Sequence, residues 1–165
     1  MVLVDTNIFV IDRFFKRDEK YTENREFIDA FDCFEIVFPL FSLLELCGIS
    51  SFNLSEEELA KWLSDFGDVY SLEVLDPAEM SGKNAFEWIE LFVDEMANNI
   101  TKKMKFGDAV ILREAESYKV EAIVTWNKKD FAERTEIPIF TPEEFLEAKR
   151  SENNKKEERN QCESV

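Results

Sequence analysis

The sequence predicts an α/β protein, a three-layer α/β/α sandwich built on a small, mostly parallel sheet. Short, continuous apolar runs such as Val2-Leu3-Val4 and Ala122-Ile123-Val124 read as strands buried on both faces, as parallel strands are. Between them lie longer segments with apolar residues at helical spacing. Gly and Pro number only 4 each, which leaves little material for long loops.

The elements follow in order. Residues 2–4 form the first strand. Residues 6–15 are apolar at Ile8, Phe9, Ile11, Phe14 and Phe15, and residues 22–34 at Phe27, Ile28, Phe31 and Phe34; both patterns predict helices. Residues 35–38 are the second strand, ended by Pro39, and a helix is expected over 40–50. Ser55 and Glu58 make a capping box for a helix through Phe66, with Gly67 as its stop signal. Residues 69–75 predict a strand closed by Asp76-Pro77. The longest helical pattern covers 81–100, with Phe86, Ile89, Phe92, Val93 and Met96 along one side. A helix over 106–118 and a strand over 122–125 follow. Residues 137–140 predict an edge strand, because Pro138 has no N–H for a ladder. Thr141, Pro142 and Glu144 open a last helix. Residues 1–148 make one domain without internal repeats, and the Asn-, Lys- and Glu-rich residues 149–165 read as a disordered tail.

Composition narrows the chemistry. The 165 residues are 45% hydrophobic, enough for one sizeable core. No apolar run is long enough to span a bilayer, and no basic, apolar leader opens the chain, so a soluble, cytoplasmic protein without a membrane partner is expected. The 3 cysteines, Cys33, Cys47 and Cys162, lie far apart without metal-ligand spacing. Cys33 and Cys47, in apolar surroundings, are expected to be buried thiols, and Cys162 exposed. There is no His, which removes Ser-His-Asp and Cys-His catalysis and a histidine-bound zinc centre. Acid–base work is left to carboxylates, Lys, Tyr or a water activated by a metal. The net charge of −16 argues against a general positive field for nucleic acid, though a local basic groove remains open.

Against that background four positions stand out. Asp5 ends the first apolar strand, and Asn127 follows the strand 122–125. Glu45 lies within Ser42-Leu-Leu-Glu-Leu-Cys47, and Asp108 follows Phe106-Gly107 and opens Ala109-Val-Ile-Leu112. A carboxylate buried alone costs several kcal/mol unless it is paired, neutralised or bound to a metal. Ligands of open α/β sheets bind beyond the carboxyl ends of the strands, where Asp5 and Asn127 fall if their strands are neighbours. Each position also has a plain reading. Asp5 and Asp108 could simply cap helices, Glu45 could lie on the exposed stripe of an amphipathic helix, and Asn is common in turns. The combination carries weight only if the fold gathers the four.

These residues resemble a known family. Val4-Asp5-Thr6-Asn7 is similar to the opening motif of PIN-domain ribonucleases, Glu45 in Ser-Leu-Leu-Glu-Leu resembles their second acid, and Phe106-Gly-Asp108-Ala the third. Thr125-Trp-Asn127-Lys-Lys-Asp130-Phe131 resembles the last motif, and the four run in order from residue 2 to about residue 145. The match is to the small prokaryotic members, the VapC toxins and their relatives. The resemblance implies a PIN-like fold and a metal-dependent endoribonuclease, with Asp5, Glu45 and Asp108 holding Mg²⁺ or Mn²⁺ and a water activated for in-line attack on a phosphodiester. It implies that Thr6, Asn7 and Thr125 position the site or the substrate. The chain departs from the pattern in carrying Asn127 where the family commonly has an acid, and Asp130 is a candidate to compensate. The resemblance further implies an RNA substrate, an antitoxin partner and a homodimer.

Substrate approach to so acidic a body needs local positive charge. Arg13, Lys16 and Arg17 form one cluster; Lys102, Lys103 and Lys105, just before Asp108, form another; Lys128 and Lys129 follow Asn127. Each could equally be solvated surface, and Trp126 could stack on a base or belong to the core. The aromatic residues Phe31, Phe34, Phe41, Phe52, Trp62 and Phe66 offer more apolar surface than a small monomer is expected to bury, which suits an oligomer or antitoxin interface. Two other readings compete. One is a catalytically weak or inactive PIN-like module that binds RNA or protein, motivated by Asn127 and the acidic charge. The other is a haloacid-dehalogenase-type phosphatase, for which Asn7 stands where a second Asp is usual and a lysine motif is missing.

Overall fold

The protein is described by a computed structural model covering residues 1–78 and 84–162, with side chains as far as Lys155. Ser81, Gly82 and Lys83, expected to open the long helix, lie outside the described residues, as does the side chain of Cys162. Strands β1 (Val2–Val4), β2 (Ile36–Pro39), β3 (Glu73–Leu75), β4 (Ala122–Val124) and β5 (Ile139–Phe140) form one five-stranded sheet in the order β3-β2-β1-β4-β5. Every pairing is parallel, with Val2 beside both Ile36 and Ala122 and Val4 beside Val124. From β1 the chain builds outward through β2 to β3, then returns to the other side of β1 for β4 and β5. β1 and β4 are therefore neighbours across the switch point of the sheet, the arrangement that would let Asp5 meet residue 127.

Helices α1 (Thr6–Phe14), α2 (Tyr21–Asp29), α3 (Leu40–Ser50), α4 (Glu56–Tyr70), α5 (Ala85–Thr101), α6 (Phe106–Tyr118) and α7 (Pro142–Cys162) connect or follow the strands. Successive strand residues point to opposite faces, so each strand feeds two cores. Val2, Val4, Ile36, Phe38, Ala122 and Val124 pack with Ile8 and Phe9 of α1, Phe27 of α2, Phe66 of α4 and Phe145 of α7. Leu3, Val37 and Ile123 face the other way, onto Met96 of α5 and Val110–Leu112 of α6. The sandwich and its parallel sheet match the expected class. Phe9, fully buried one turn beyond Asp5, is the hub of the first core. Its ring centroid lies 4.7 Å from that of Phe38, 5.0 Å from Phe66 and 4.8 Å from Tyr70, all edge-on. At roughly 0.5–1.5 kcal/mol per aromatic pair beyond burial, these contacts fix the helix that carries the residues after Asp5.

Several boundaries differ from expectation, for local reasons. The segment expected as one helix over 22–34 breaks at Ala30 into a short 3₁₀ turn, Phe31–Cys33, and this leaves Cys33 exposed, while Cys47 is buried as expected. Gly67 does not stop α4, which runs to Tyr70 and ends at Ser71 in left-handed conformation (φ 53°). The chain then folds back so closely that Leu72 donates its N–H to the Gly67 carbonyl, and a Cβ on Gly67 would stand 2.8 Å from the Leu72 carbonyl oxygen. The glycine serves that return, and residues 69 and 70 join the helix instead of β3. α7 continues to Cys162, so helix extends into the segment read as a disordered tail. Glu, Lys and Arg are good helix formers, and no Pro or Gly interrupts them there. α5 is rotated from the expected face: Met96 and Asn99 are buried and Phe92 packs toward α6, while Phe86, Ile89, Val93 and Ile100 are exposed. Of the aromatic residues expected to overload the surface, Phe31 and Phe66 are buried, and Phe52 is 90% exposed.

The rotation of α5 follows from a buried ion pair on α6. Arg113 donates to Glu114 at 2.7 Å and to Glu95 of α5 at 2.6 Å, and its guanidinium lies over the rings of Trp88 and Phe92. The other Glu114 oxygen accepts the Ala78 N–H, while the Ala78 carbonyl accepts from Trp88 Nε1 and Arg113. One backbone unit is thus gripped from both sides, and the end of the β3 loop is tied to α6. Arg113→Met is expected to leave Glu114 charged, buried and unpaired, at a cost of about 3–5 kcal/mol in urea denaturation. Phe86→Ser on the exposed face of the same helix pair should change stability by less than about 0.5 kcal/mol.

Candidate active site

Asp5 is the first residue after β1 and continues its ladder, donating its N–H to the Val124 carbonyl of β4. Its extended backbone makes it the N-cap of α1, where its carboxylate accepts the Asn7 N–H. The helix-cap reading is thus correct, and the functional one is not displaced by it. A carboxylate has more acceptor sites than a cap uses. The second oxygen of Asp5 accepts from the Thr125 hydroxyl at 2.6 Å and from the Asn7 side-chain amide. Asn7 also donates to Thr125 Oγ1, and its carbonyl oxygen receives the Trp126 N–H. The Asn127 N–H closes the set on Thr125 Oγ1 at 2.9 Å. The end of β4 is thereby laced to the start of α1 around one carboxylate.

The other acids arrive from separate elements. Glu45 lies on the exposed side of α3, as the amphipathic reading allowed, and its carboxylate is nonetheless held in place. Thr6 Oγ1 of α1 donates to Glu45 Oε2 at 2.9 Å. Asp108 falls in the first turn of α6, whose N-cap residue Lys105 makes no side-chain cap bond. Asp5, Thr6, Asn7, Glu45, Lys105, Gly107, Asp108 and Asn127 line one cavity of about 210 Å³ at the carboxyl ends of β1 and β4. A larger cavity, about 360 Å³, lies between α1, α2 and the end of α4, but its Asp12, Arg25 and Asp29 are already ion-paired and Tyr70 donates to Asp12. The unpaired acids lie in the smaller one.

Its electrostatics are one-sided. None of Asp5, Glu45 and Asp108 is in an ion pair among the described residues. Burial pushes the Asp5 carboxyl up to about 6; its bonds from Thr125 and Asn7 oppose the rise, and the charges of Asp108 and Glu45 add to it. Asp108 is also raised, by burial first and then by Asp130, with Lys105 and Arg134 pulling the other way. Asp130 sits in the turn after Asn127, outside the cavity lining, and acts on Asp108 through its charge. Arg134 fixes that turn by donating to the carbonyls of Lys129 and Asp130, and to that of Lys102.

The donor set suits a hard divalent cation: oxygen ligands and a net negative charge, with none of the three acids in an ion pair among the described residues. Among the described residues no three acidic or thiol side chains stand close enough to grip one ion directly. A cavity of about 210 Å³ has room for several waters at about 30 Å³ each, and Mg²⁺ commonly keeps most of its waters and takes one or two carboxylates. The residues fit a hydrated ion better than a dry cage.

The remaining expected residues divide. Lys105 lines the cavity. Thr125 is fully buried with its hydroxyl turned onto Asp5, so it positions an acid rather than a substrate. Arg13 is spent on Tyr70, to whose hydroxyl it donates at 2.6 Å, and lies over Trp62; Lys128 is paired with Glu144. Trp126 packs on the core and gives its indole N–H to the buried Asn24, with Lys20 over its ring. Asn24 escaped sequence reasoning, and Gly107 entered it only as the neighbour of Asp108 in a motif. A polar residue on the apolar face of α2 was the available signal for the first, and a glycine inside a helix start for the second.

No protein-family profile and no characterised protein matches the chain in sequence. Solved structures do match in fold. A toxin–antitoxin complex from Klebsiella pneumoniae contains a chain 21% identical, with TM-score 0.54, over 86% of this chain and 98% of that one. FitAcB from Neisseria gonorrhoeae matches at 14% identity and TM-score 0.57, over 86% and 98%. VapBC2 from Rickettsia felis, bound to a DNA fragment from its promoter, matches at 22% and 0.56, over 85% and 97%. At these identities the likeness concerns the fold, and it agrees with the PIN-like sandwich.

A raised folded-state pKa means that the folded protein binds the Asp5 proton more tightly than the unfolded chain does. Stability is then greatest below the ordinary value of 3.8 and is lost as pH rises through about 6. Metal-free protein is expected to lose about 2–3 kcal/mol across that interval from this group. Asp5→Asn should remove the loss and be the more stable protein at pH 7.5 in EDTA, measured by urea denaturation. Equal pH profiles for the two proteins would contradict the assignment.

Proposed function

We propose that the chain is a metal-dependent endoribonuclease and acts as the toxin of a toxin–antitoxin pair. One observation carries the reading: three unpaired carboxylates from three separate elements, Asp5, Glu45 and Asp108, line one open cavity at the switch point of a PIN-like sheet. Toxin–antitoxin structures that share the fold support the biological setting.

Asp5, Glu45 and Asp108 would hold Mg²⁺ or Mn²⁺, with the Asn127 amide contributing a neutral oxygen. When bound, the ion supplies an activated water for attack on phosphorus and offsets the charge developing on the phosphate. Thr125 and Asn7 keep Asp5 in one orientation, and Thr6 does the same for Glu45. Lys105, which lines the cavity, would meet a phosphate oxygen of the RNA, and the acidic body would make that contact local. A cytoplasmic setting and an antitoxin partner belong to this proposal. Among the described residues no helix is long and apolar enough to cross a membrane. The exposed Phe86, Ile89, Val93 and Ile100, at helical spacing on α5, suit a homodimer or antitoxin contact.

A second reading keeps the fold without the catalysis. Asn127 in place of an acid, and acids too far apart to grip a bare ion, favour a catalytically weak or inactive module that binds RNA or protein. Mn²⁺ titration with a labelled RNA decides between them. The wild-type protein is expected to bind Mn²⁺ and cleave, and Asp108→Asn to lose about 10–100-fold in metal affinity together with cleavage. A purified protein that cleaves no RNA with Mn²⁺, and whose metal affinity is untouched by Asp108→Asn, would leave the binding module as the answer.

A further inference from the structure

Among the residues that line the cavity, Gly107 has no side chain at all. Gly107 is the second residue of α6, between the exposed Phe106 and Asp108. Its φ is not in the left-handed region, so no turn requires glycine there. Helices disfavour glycine, and alanine would be the better local choice. Space gives the reason. A Cβ on Gly107 would stand 2.7 Å from Glu45 Oε1, 3.3 Å from its Cδ and 3.4 Å from Oε2. Real Cβ atoms do not approach an oxygen at 2.7 Å, so one of the two must give way.

Glu45 would be the one to move. It is the end of a flexible side chain on the exposed side of α3, whereas Gly107 is backbone at the start of a helix whose next residues, Ala109, Val110, Ile111 and Leu112, are all buried. Oε2 of the carboxylate accepts from Thr6 at 2.9 Å, and Oε1 occupies the space that a Cβ on Gly107 would need. A methyl group at 107 pushes Oε1 outward and swings the carboxylate off its contact with Thr6.

We infer that Gly107 is a positioning residue that sets where the Glu45 carboxylate stands in the cavity. The inference rests on the proposed role of Glu45 in metal binding. The absence of a side chain lets the second acid approach the start of α6, beside Asp108, and a helix N-terminus favours negative charge there. The unfavourable helix propensity at 107 is the cost of a site held in one geometry.

The test compares Gly107→Ala, Glu45→Asp and the double variant in the full chain. Gly107→Ala should melt in EDTA at the same temperature as wild type or higher, yet bind Mn²⁺ about tenfold more weakly. It should cleave RNA with a lowered kcat and a KM nearly unchanged. Glu45→Asp withdraws the carboxylate from position 107, so Gly107→Ala should cost little further in that background. Wild-type Mn²⁺ affinity and cleavage in Gly107→Ala would overturn the inference, and a fall in melting temperature accompanying the loss would assign Gly107 to the fold instead. If the wild-type protein binds no Mn²⁺, the functional proposal fails by itself. The inference is then decided by metal-free stability. Coupling between Thr6→Val and Glu45→Gln in a double-mutant cycle should disappear in the Gly107→Ala background, and its persistence there would overturn the inference.

Discussion

The hydrogen bond from the Thr125 hydroxyl to the Asp5 carboxylate, across the junction of β1 and β4, is the contact on which the site depends. It exists only because the chain reverses its direction of sheet building between these strands. Parallel pairing of Val4 with Val124 sets Asp5 and Thr125 side by side at the carboxyl end, where the backbone no longer absorbs every polar group. From that pair the rest follows in one direction. Asp5 caps α1, α1 presents Thr6, Thr6 orients Glu45 on α3, and Glu45 rests against Gly107 at the start of α6. Four segments distant in sequence are coupled through contacts of side chains no longer than glutamate.

The core and the site serve different ends, and the structure keeps them apart. Phe9 and its aromatic neighbours hold α1 from below with contacts that neither charge nor metal affects. Arg113, paired with Glu114 on its own helix and with Glu95 of α5, holds α6 to α5 less than two turns beyond Asp108. Those anchors allow the cavity to carry charges that are not neutralised. Buried, paired acids stabilise or break even; buried, unpaired ones oppose folding, as the raised Asp5 carboxyl shows. A fold without excess stability at its anchors would not tolerate such a cluster.

What the sequence revealed and what it concealed divide along physical lines. The strands were legible because parallel strands, buried on both faces, leave unbroken apolar runs, and the sheet order was foreshadowed by Asp5 and Asn127 each following such a run. The capping box at Ser55 and the Pro142 helix start were legible because they are local. The face of α5 was not. Phe86, Ile89 and Val93 have the same spacing as a buried stripe, and the choice between two apolar faces is made by Arg113, distant in sequence. Gly67 misled for a related reason: a glycine needed for close approach looks the same in sequence as one that ends a helix. Thr125 was legible as a residue that positions either the site or the substrate, but the sequence did not choose between them; in the fold its hydroxyl turns onto Asp5. Whether a hydroxyl faces a ligand or a neighbouring carboxylate depends on the register between β1 and β4.

Asn127 gains a physical rationale from this arrangement. Its side chain lines the cavity, and its N–H already serves Thr125, the residue that holds Asp5. An acid at 127 would add a fourth negative charge where Asp5 is already raised by burial and by two neighbouring carboxylates. A further acid, Asp130, sits in the following turn, outside the cavity lining, with its charge acting on Asp108 and its turn fixed by Arg134. Negative charge is therefore spread along the rim rather than concentrated at its centre. Such a site relaxes the opposition to folding that a four-acid cluster would impose, and it weakens the pull on a second cation. On these grounds the proposed metal site would take one hydrated ion rather than a pair.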